Sequence, residues 1–189
     1  LMPDEAEVHG LVGLMELQAS RMRARTNAAG EPVLLLDQPR ARWDHLLIQR
    51  GLRALARAEA LTPERGTYTL QEELAACHAR ARTAEETDWP RIVATYDDLV
   101  RLTGSPVVEL NRAVAIGMAA GPAAGLAAVD ALRDVPALKA YHLLPTVRGD
   151  LLAKPGRAEE ARAEFRRAAA MTQNARERAL LLARAETGE

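Results

Sequence analysis

Apolar residues recur along this chain at the three- and four-residue spacing that is typical of helices with one buried face. The first such segment covers about residues 5–25, and its apolar face contains Val8, Leu11, Val12, Met15, Ala19 and Met22. Segments with the same spacing continue to about residue 186, separated by Gly, Pro and small polar residues that end helices. The pattern predicts eight or nine helices with short connections.

Residues that favour the first turn of a helix mark several of these segments. An Asp, Ser, Thr or Asn side chain can accept hydrogen bonds from the free amides of the first turn, and an acidic residue three positions later often completes the cap. This spacing, or a capping residue followed by Pro, occurs at Asp4 with Glu7, Thr69 with Glu72, Ser105 with Pro106, and Asn174 with Glu177. Pro136 is the predicted start of a helix that reaches about Leu152.

One short run departs from the helical pattern. Residues Val33-Leu34-Leu35-Leu36 are strand-like but have no evident partner strand, so they are predicted to form a buried extended linker. Elsewhere Ala, Leu, Arg and Glu dominate and favour helix, whereas aromatic residues are only 3% of the chain. We therefore expect an all-α fold of stacked antiparallel helix pairs.

A repeat is visible in the second half of the chain. Small and large positions recur at an offset of 36 residues, at Ala113 and Gly149, Gly125 and Ala161, and Val129 and Phe165. Tetratricopeptide repeats have a period of about 34 residues, and their small residues let paired helices approach closely. The pattern predicts tetratricopeptide-like α-hairpin repeats over residues 67–189, packed as one unit, after an N-terminal helical segment of residues 1–66.

The charge balance narrows the choice of partner. The chain has 25 Lys and Arg against 26 Asp and Glu, a net charge of −1, whereas a surface that binds nucleic acid throughout has a marked basic excess. The single cysteine, Cys77, excludes an internal disulfide, and no apolar run approaches the roughly 20 residues that span a bilayer. The acidic opening lacks the features of a signal peptide. We therefore expect a cytoplasmic protein without membrane or direct DNA contact.

Motifs for catalysis are not found in the sequence. The four histidines, His9, His45, His78 and His142, do not have the spacing of a zinc site with each other or with Cys77. The chain also has no glycine-rich phosphate loop, nucleophile elbow or paired His–Glu helix motif. We therefore expect an interaction protein rather than an enzyme, with no catalytic residue, metal ion or cofactor.

Polar residues and one of the two tryptophans are concentrated in residues 37–44. This segment contains the partner-binding candidates Asp37, Gln38, Arg40, Arg42, Trp43 and Asp44. Trp and Arg are frequent anchors of protein interfaces, which favours an interaction site. The alternative is a structural loop with arginine–carboxylate pairs, in which Trp43 is a core residue and Asp44 or Asp37 caps a helix. The residues alone support either interpretation.

A second pair of polar residues interrupts an apolar helix. Asn111 and Arg112 lie within the run from Ser105 to Ala115, and Asn is a poor helix former that needs a polar partner there. In tetratricopeptide domains, polar residues on the first helix of a pair line the groove that receives peptides. Asn111 and Arg112 are therefore further candidates for partner binding, and the alternative partner is a neighbouring helix.

A series of short motifs, taken in order, resembles one family. The run Leu34-Leu35-Leu36-Asp37-Gln38, with Arg40, Arg42, Trp43 and Asp44, is similar to that family's Asp-Gln-Asp-Arg…Trp-Asp motif. The other matching motifs are Tyr68-Thr69-Leu70-Gln71, Ala75 to Ala79, Thr87-Asp88-Trp89, Tyr96-Asp97, Ser105 to Ala115, Gly121 to Leu126, and Tyr141-His142-Leu143-Leu144. Over nearly its whole length the chain resembles the tetratricopeptide-containing C-terminal extension of bacterial extracytoplasmic-function sigma factors.

Pro39 departs from the family pattern, which has an acidic residue at this position. The resemblance begins after the regions of the parent sigma factor that bind the polymerase and read the promoter, so the chain is expected to be a domain of a longer protein. It implies a regulatory role in transcription initiation. The implied partners are the sigma regions of the same parent chain or RNA polymerase, with a further protein or peptide in the helical groove. The alternative is a tetratricopeptide-like peptide-binding scaffold unrelated to transcription.

Overall fold

The computed structural model of the chain describes residues 3–188. Within these residues it contains nine α-helices and no β-strand, which confirms the all-α prediction. Within each of its two compact units, helices that follow one another in the chain pack against each other, in agreement with the predicted stacked helix pairs. None of these helices has both the length and the apolar sequence needed to cross a bilayer. The helices are α1 (Ala6–Ser20), α2 (His45–Leu61), α3 (Thr67–Arg80), α4 (Trp89–Thr103), α5 (Pro106–Ala120), α6 (Pro122–Asp130), α7 (Leu143–Ala153), α8 (Ala158–Met171) and α9 (Ala175–Thr187).

Contacts between helices divide the chain into two compact units, of which the first ends at Thr103 and the second begins at Gly104. In the first unit α1 packs on α2 and α3, and α4 packs on α3. Its core contains Leu17, Ala24, Trp43, Ile48, Leu55 and Ala76. The sequence-based boundary between residues 66 and 67 lies in the turn between α2 and α3. That boundary concerned the start of the repeats, and it stays a prediction.

In the second unit α5 pairs with α6, α7 pairs with α8, and α9 packs on α8. All six residues of the 36-residue repeat are buried. A Cβ atom on Gly149 would lie 2.6 Å from the ring of Phe165, and one on Gly125 would lie 2.7 Å from the backbone of Gly117. The repeat positions therefore mark the close contact inside each helix pair.

The buried face of α1 differs from the prediction. The face that packs in the core contains Gly10, Gly13, Leu17 and Ser20. Most of the predicted apolar face is exposed, and Met15 and Met22 are each 62% exposed. A Cβ atom on Gly13 would overlap the carboxylate of Glu72 on α3, so glycine is required for this approach. The prediction was wrong because it ranked side chains by hydrophobicity, whereas the fit of small residues decides how α1 packs.

The carboxylate of Glu7 caps α3 instead of α1. Its oxygens accept hydrogen bonds from the amides of Tyr68 and Thr69 at 2.8 and 3.0 Å, and from the Thr69 hydroxyl at 2.8 Å. Thr69 lies inside α3, so it does not form the predicted capping box with Glu72. Asp4 does not cap α1 either, since the residue before that helix is Glu5. The packing of α1 on α3 brings Glu7 to the positive end of the α3 dipole.

Replacing Glu7 with alanine is expected to lower the free energy of unfolding by about 1–3 kcal/mol, because two backbone amides of α3 lose their acceptor. Chemical denaturation followed by circular dichroism measures the change. The matched control is Asp4→Ala on the same stretch of chain, with an expected change within about 0.5 kcal/mol. Equal losses for the two variants would contradict the assignment of Glu7 as the cap.

Two other helix starts agree with the sequence, and a third does not. The side-chain oxygen of Asn174 accepts from two amides at the start of α9, and Pro106 is the first residue of α5. The helix predicted to begin at Pro136 is wrong, because Pro136–Leu138 forms only a 3-10 turn and α7 begins at Leu143. Pro145 explains the break, since proline is tolerated in the first turn of a helix but disrupts its interior.

The strand-like run does not form the predicted buried linker. Leu34 is 73% exposed, and Leu35–Asp37 forms a 3-10 turn. The amide of Asp37 donates to the carbonyl of Leu34 at 3.0 Å. Without a partner strand, an extended run leaves backbone groups unpaired, so the chain closes local hydrogen bonds by turning.

Candidate functional site

Residues 37–44 lie in two tight turns between α1 and α2. The turns are 3-10 helical at Leu35–Asp37 and Arg40–Arg42. The side chain of Asp44 then accepts hydrogen bonds from two amides in the first turn of α2, at 3.0 and 3.2 Å. The amide of Asp44 donates to the carbonyl of Ser20 at 2.9 Å, which ties the segment to the end of α1. The predicted cap by Asp44 is confirmed.

Trp43 is a core residue of the first unit and is only 4% exposed. The guanidinium carbon of Arg40 lies 4.1 Å from the centroid of the Trp43 ring, and that of Arg21 lies 5.6 Å from it. Gln38 is also buried, and its amide donates to the carbonyl of Val33 at 3.0 Å. These contacts agree with the structural interpretation of the segment, but arginine–tryptophan stacking takes the place of the expected arginine–carboxylate pairs.

The exposed residues of the segment are Asp37, Pro39, Ala41, Arg42 and Asp44, of which three are charged. Arg42 donates to the carbonyl of Thr26 at 3.3 Å, and the carboxylate of Asp44 is engaged in the cap. Asp37 and Arg42 are therefore the charged side chains that the segment presents to solvent. Partner binding by the predicted residues of this segment stays a prediction.

The charge around Trp43 is unbalanced. Within residues 3–188, neither Arg21 nor Arg40 has a carboxylate at ion-pair distance, and all three nitrogens of Arg40 are buried without a hydrogen-bond partner. Burial lowers the pKa of both arginines. The positive charges of Arg25 and Arg40 lower the pKa of Arg21 further, whereas the negative charge of Glu85 partly offsets the effect of burial on Arg40. Burial, followed by the charges of Arg40 and Arg21, lowers the pKa of His78 to about 4. Positive charge therefore surrounds the Trp43 ring.

A cavity of about 330 Å³ lies beside this group. It is lined by Arg40, Trp43, His45, Arg80 and Arg82, together with Ile48 and three alanines. No acidic residue lines it, and we name it the arginine cavity. Three other cavities in the described part of the chain each have at least one Asp or Glu in their lining. The arginine cavity thus has the chemistry of a site for a negatively charged group.

Two fully buried glutamates follow each other in α3. The carboxylate of Glu73 pairs with Arg80 and Arg91. Neither oxygen of Glu72 has a hydrogen-bond partner. Burial, followed by the negative charges of Glu59 and Glu73, raises the pKa of Glu72 to about 8. Glu72 is therefore mostly protonated at neutral pH. Its neighbour Glu73 is instead the ion-pair partner of Arg80 and Arg91.

The second pair of candidates lies on α5, in the second unit. Asn111 is exposed and Arg112 is half-buried. The sequence placed both on the first helix of a repeat pair, and α5 is the first helix of the α5–α6 pair. Their role in binding a peptide stays a prediction.

Four residues near residues 37–44 were not predicted from the sequence, namely Arg21, His78, Arg80 and Arg82. One signal was present, because His78-Ala79-Arg80-Ala81-Arg82 places three basic or titratable residues at two-residue spacing. Their proximity to Trp43 depends on the packing of α3 beside α2. Across residues 3–188, no group of three or more His, Cys, Asp or Glu side chains is placed to hold a metal ion.

The chain is similar to part of a longer protein. An uncharacterized protein of Rhizobium meliloti (strain 1021) is 45% identical over 181 residues, which cover 96% of this chain and 42% of that protein. The chain therefore spans less than half of the length of this curated relative. Residues 1–59 match DUF6596, a family of unknown function. No solved structure matches the chain.

Proposed function

We propose that this chain is a regulatory, protein-interaction domain of a bacterial RNA polymerase sigma factor, and that it controls transcription initiation in the cytoplasm without the promoter-reading regions. The observation that carries the proposal is the ordered series of motifs from Leu34 to Leu144, which resembles the C-terminal extension of extracytoplasmic-function sigma factors. The greater length of the Rhizobium meliloti relative is compatible with a domain of a longer protein.

The proposed contact surface is residues 37–44. The buried side chain of Trp43 anchors its backbone in the core of the first unit, and the Asp44 cap fixes its C-terminal end. A segment that is already ordered loses little conformational entropy on binding. Asp37 and Arg42 present opposite charges from this fixed backbone, and the partner is the sigma regions of the same parent chain or RNA polymerase.

The test changes the exposed charges and leaves the buried tryptophan intact. In the full-length parent factor, the pair Asp37→Ala and Arg42→Ala is expected to change transcription from its target promoter by at least about fivefold, the effect of losing an interface contact of roughly 1 kcal/mol. A promoter–reporter assay measures the change. Trp43 is unsuited to this test, because its replacement would damage the core.

The matched control is the pair Arg53→Ala and Glu64→Ala, which removes the same two charge types from exposed positions of the first unit. Its reporter output is expected to equal that of the unaltered factor. An unchanged output for the Asp37 and Arg42 pair, with circular dichroism showing intact folding, would remove the proposed contact. A reading frame that encodes no sigma regions ahead of this chain would remove the proposed function itself.

A peptide-binding scaffold unrelated to transcription is the second candidate. The exposed position of Asn111 on α5 favours it, since a polar side chain within an apolar helix is then available to a peptide backbone. The two candidates differ in the expected effect of Asn111→Ala. If the chain is a peptide-binding scaffold, Asn111→Ala should weaken capture of a partner, whereas the substitutions at Asp37 and Arg42 should leave it unchanged.

A further inference from the structure

Arg40 differs from two exposed arginines of the first unit that have a carboxylate partner. Arg80 and Arg91 both pair with the carboxylate of Glu73. Arg40 has no such partner, although its three nitrogens are shielded from solvent and one face of its guanidinium lies over Trp43. Removing a cation from water is unfavourable unless an anion replaces the lost hydration. The negative charge of Glu85 acts on Arg40 only from beyond ion-pair distance, so no anion of the described residues is in contact with the Arg40 guanidinium.

The arginine cavity provides room for such an anion. Its volume of about 330 Å³ is within the range of small-ligand sites. Arg80 and Arg82 are both exposed, but Arg80 is held by its ion pair with Glu73. The long side chain of Arg82 can move aside to admit a ligand and then pair with it. The indole nitrogen of Trp43 is a second buried donor without an acceptor.

We propose that the arginine cavity binds a carboxylate, which pairs with the guanidinium of Arg40 and accepts a hydrogen bond from the indole N–H of Trp43. Arginine pairs with carboxylates through two parallel hydrogen bonds. The apolar part of the lining, Ile48 with Ala79 and Ala81, suits the hydrocarbon stem of an organic acid. Inorganic phosphate can also pair with arginine, but it has no hydrocarbon part to pack on the apolar side of the lining, so the cavity favours an organic carboxylate.

The carboxylate belongs to an Asp or Glu side chain of the partner, and in this respect the inference rests on the proposed function. The cavity is formed by Arg40 and Trp43 of the same segment whose Asp37 and Arg42 are exposed. Arg42 lines a second cavity that shares Ala41 and Trp43 with the arginine cavity, so a partner that contacts Arg42 lies next to the arginine cavity and can insert an acidic side chain. A free organic acid is the other source of the same chemistry, and the experiment distinguishes the two.

The experiment uses the 189-residue chain in phosphate-free, low-salt buffer. The probes are N-acetylglutamate amide, its neutral analogue N-acetylglutamine amide, inorganic phosphate, and the peptide acetyl-Leu-Glu-Leu-amide. Titrations are followed by tryptophan fluorescence and calorimetry, and fluorescence reports on the site because Trp43 lies in it. The two glutamate probes are expected to bind saturably, the peptide about tenfold more tightly, and the neutral analogue not at all.

Arg40→Gln is expected to weaken binding of the peptide at least about tenfold, the usual effect of losing a charged hydrogen-bond partner. Its melting temperature is expected to be unchanged or higher, because an unpaired buried cation has been removed. Arg82→Gln, at an exposed position where folding is not at risk, is expected to weaken binding severalfold. Arg53→Gln is the control, which removes an equal charge elsewhere on the first unit and is expected to leave binding unchanged.

Several results would overturn the inference. Absence of binding by both glutamate probes, equal binding of the neutral analogue, or equal affinity of Arg40→Gln and the unaltered chain would each exclude a carboxylate site at Arg40. Tighter binding of phosphate than of the glutamate probes would show that the ligand is a phosphate and not a carboxylate. Equal affinity for the peptide and for N-acetylglutamate amide would contradict the assignment of the carboxylate to a side chain of a protein partner. These titrations contain no sigma regions, so their failure is distinct from a failed reporter test of the proposed function.

Discussion

Replacing Phe165 with alanine is expected to lower the free energy of unfolding of the second unit by about 3–5 kcal/mol. The side chain is fully buried at the contact between α7 and α8. The guanidinium carbon of Arg184 lies 4.2 Å from the centroid of its ring, so the change also removes a cation–π contact. Urea denaturation followed by circular dichroism measures the loss. Leu180→Ala, at a position of α9 that is largely exposed, is the control and should change stability by no more than about 0.5 kcal/mol.

A double variant shows whether the Phe165 contact has the stated geometry. Gly149→Ala is expected to destabilise the unaltered chain, because its Cβ atom would lie 2.6 Å from the Phe165 ring. In the Phe165→Ala background the same change should cost little, since the ring is gone. Additive effects of the two substitutions would contradict a direct contact between these residues.

The stability of the first unit is expected to fall as the pH rises from about 5 to about 8, and Glu72→Gln should remove this fall. In the folded chain the pKa of Glu72 is raised to about 8, chiefly by burial, from an ordinary value of 4.5. Between these pH values the folded chain holds a proton that the unfolded chain has released. The group's contribution is therefore fully present below pH 4.5 and is lost as the pH rises toward 8, by at most about 1.4 kcal/mol per pH unit.

Urea denaturation of both chains at pH 5, 6, 7 and 8 tests this expectation. Glu72→Gln should be more stable than the unaltered chain at pH 8 and close to it at pH 5. Glu73→Gln is the matched comparison, and it should be less stable at every pH, because Arg80 and Arg91 lose their ion-pair partner. The same slope of stability against pH in Glu72→Gln and in the unaltered chain would show that Glu72 is not the responsible group.

The candidate site illustrates where the sequence was sufficient. Residues 37–44 stood out by composition, and Asp44 was one of two residues expected to cap a helix, as it does for α2. The sequence left open whether Trp43 is a core residue or an exposed anchor. Its burial depends on the core that it shares with residues of α1 and α3, such as Leu17 and Ala76, which are distant in sequence. Local patterns do not report such contacts.

The charge pattern of the site illustrates what the sequence did not reveal. Arg21, Arg40 and His78 lie far apart in the sequence. Each has another basic residue nearby in the chain, so nothing in the local sequence distinguishes it. In a chain with a net charge of −1, every arginine has many potential acidic partners. Only the folded arrangement shows that the nitrogens of Arg40 are shielded from water and that, in the described part of the chain, Arg40 has no acidic residue at ion-pair distance.

The sequence by itself determined the helices, because helix propensity, proline positions and caps act within a few residues of one another. It also indicated where small residues let helices approach closely in the α5–α6 and α7–α8 pairs, since their spacing repeats along the chain. Tertiary structure alone decided that the glycine face of α1 is buried and that Glu7 caps a helix some sixty residues away. It also decided that two arginines flank Trp43 without a carboxylate of residues 3–188 at ion-pair distance. These features depend on the fit of surfaces from distant segments, which neither hydrophobic periodicity nor local propensity encodes.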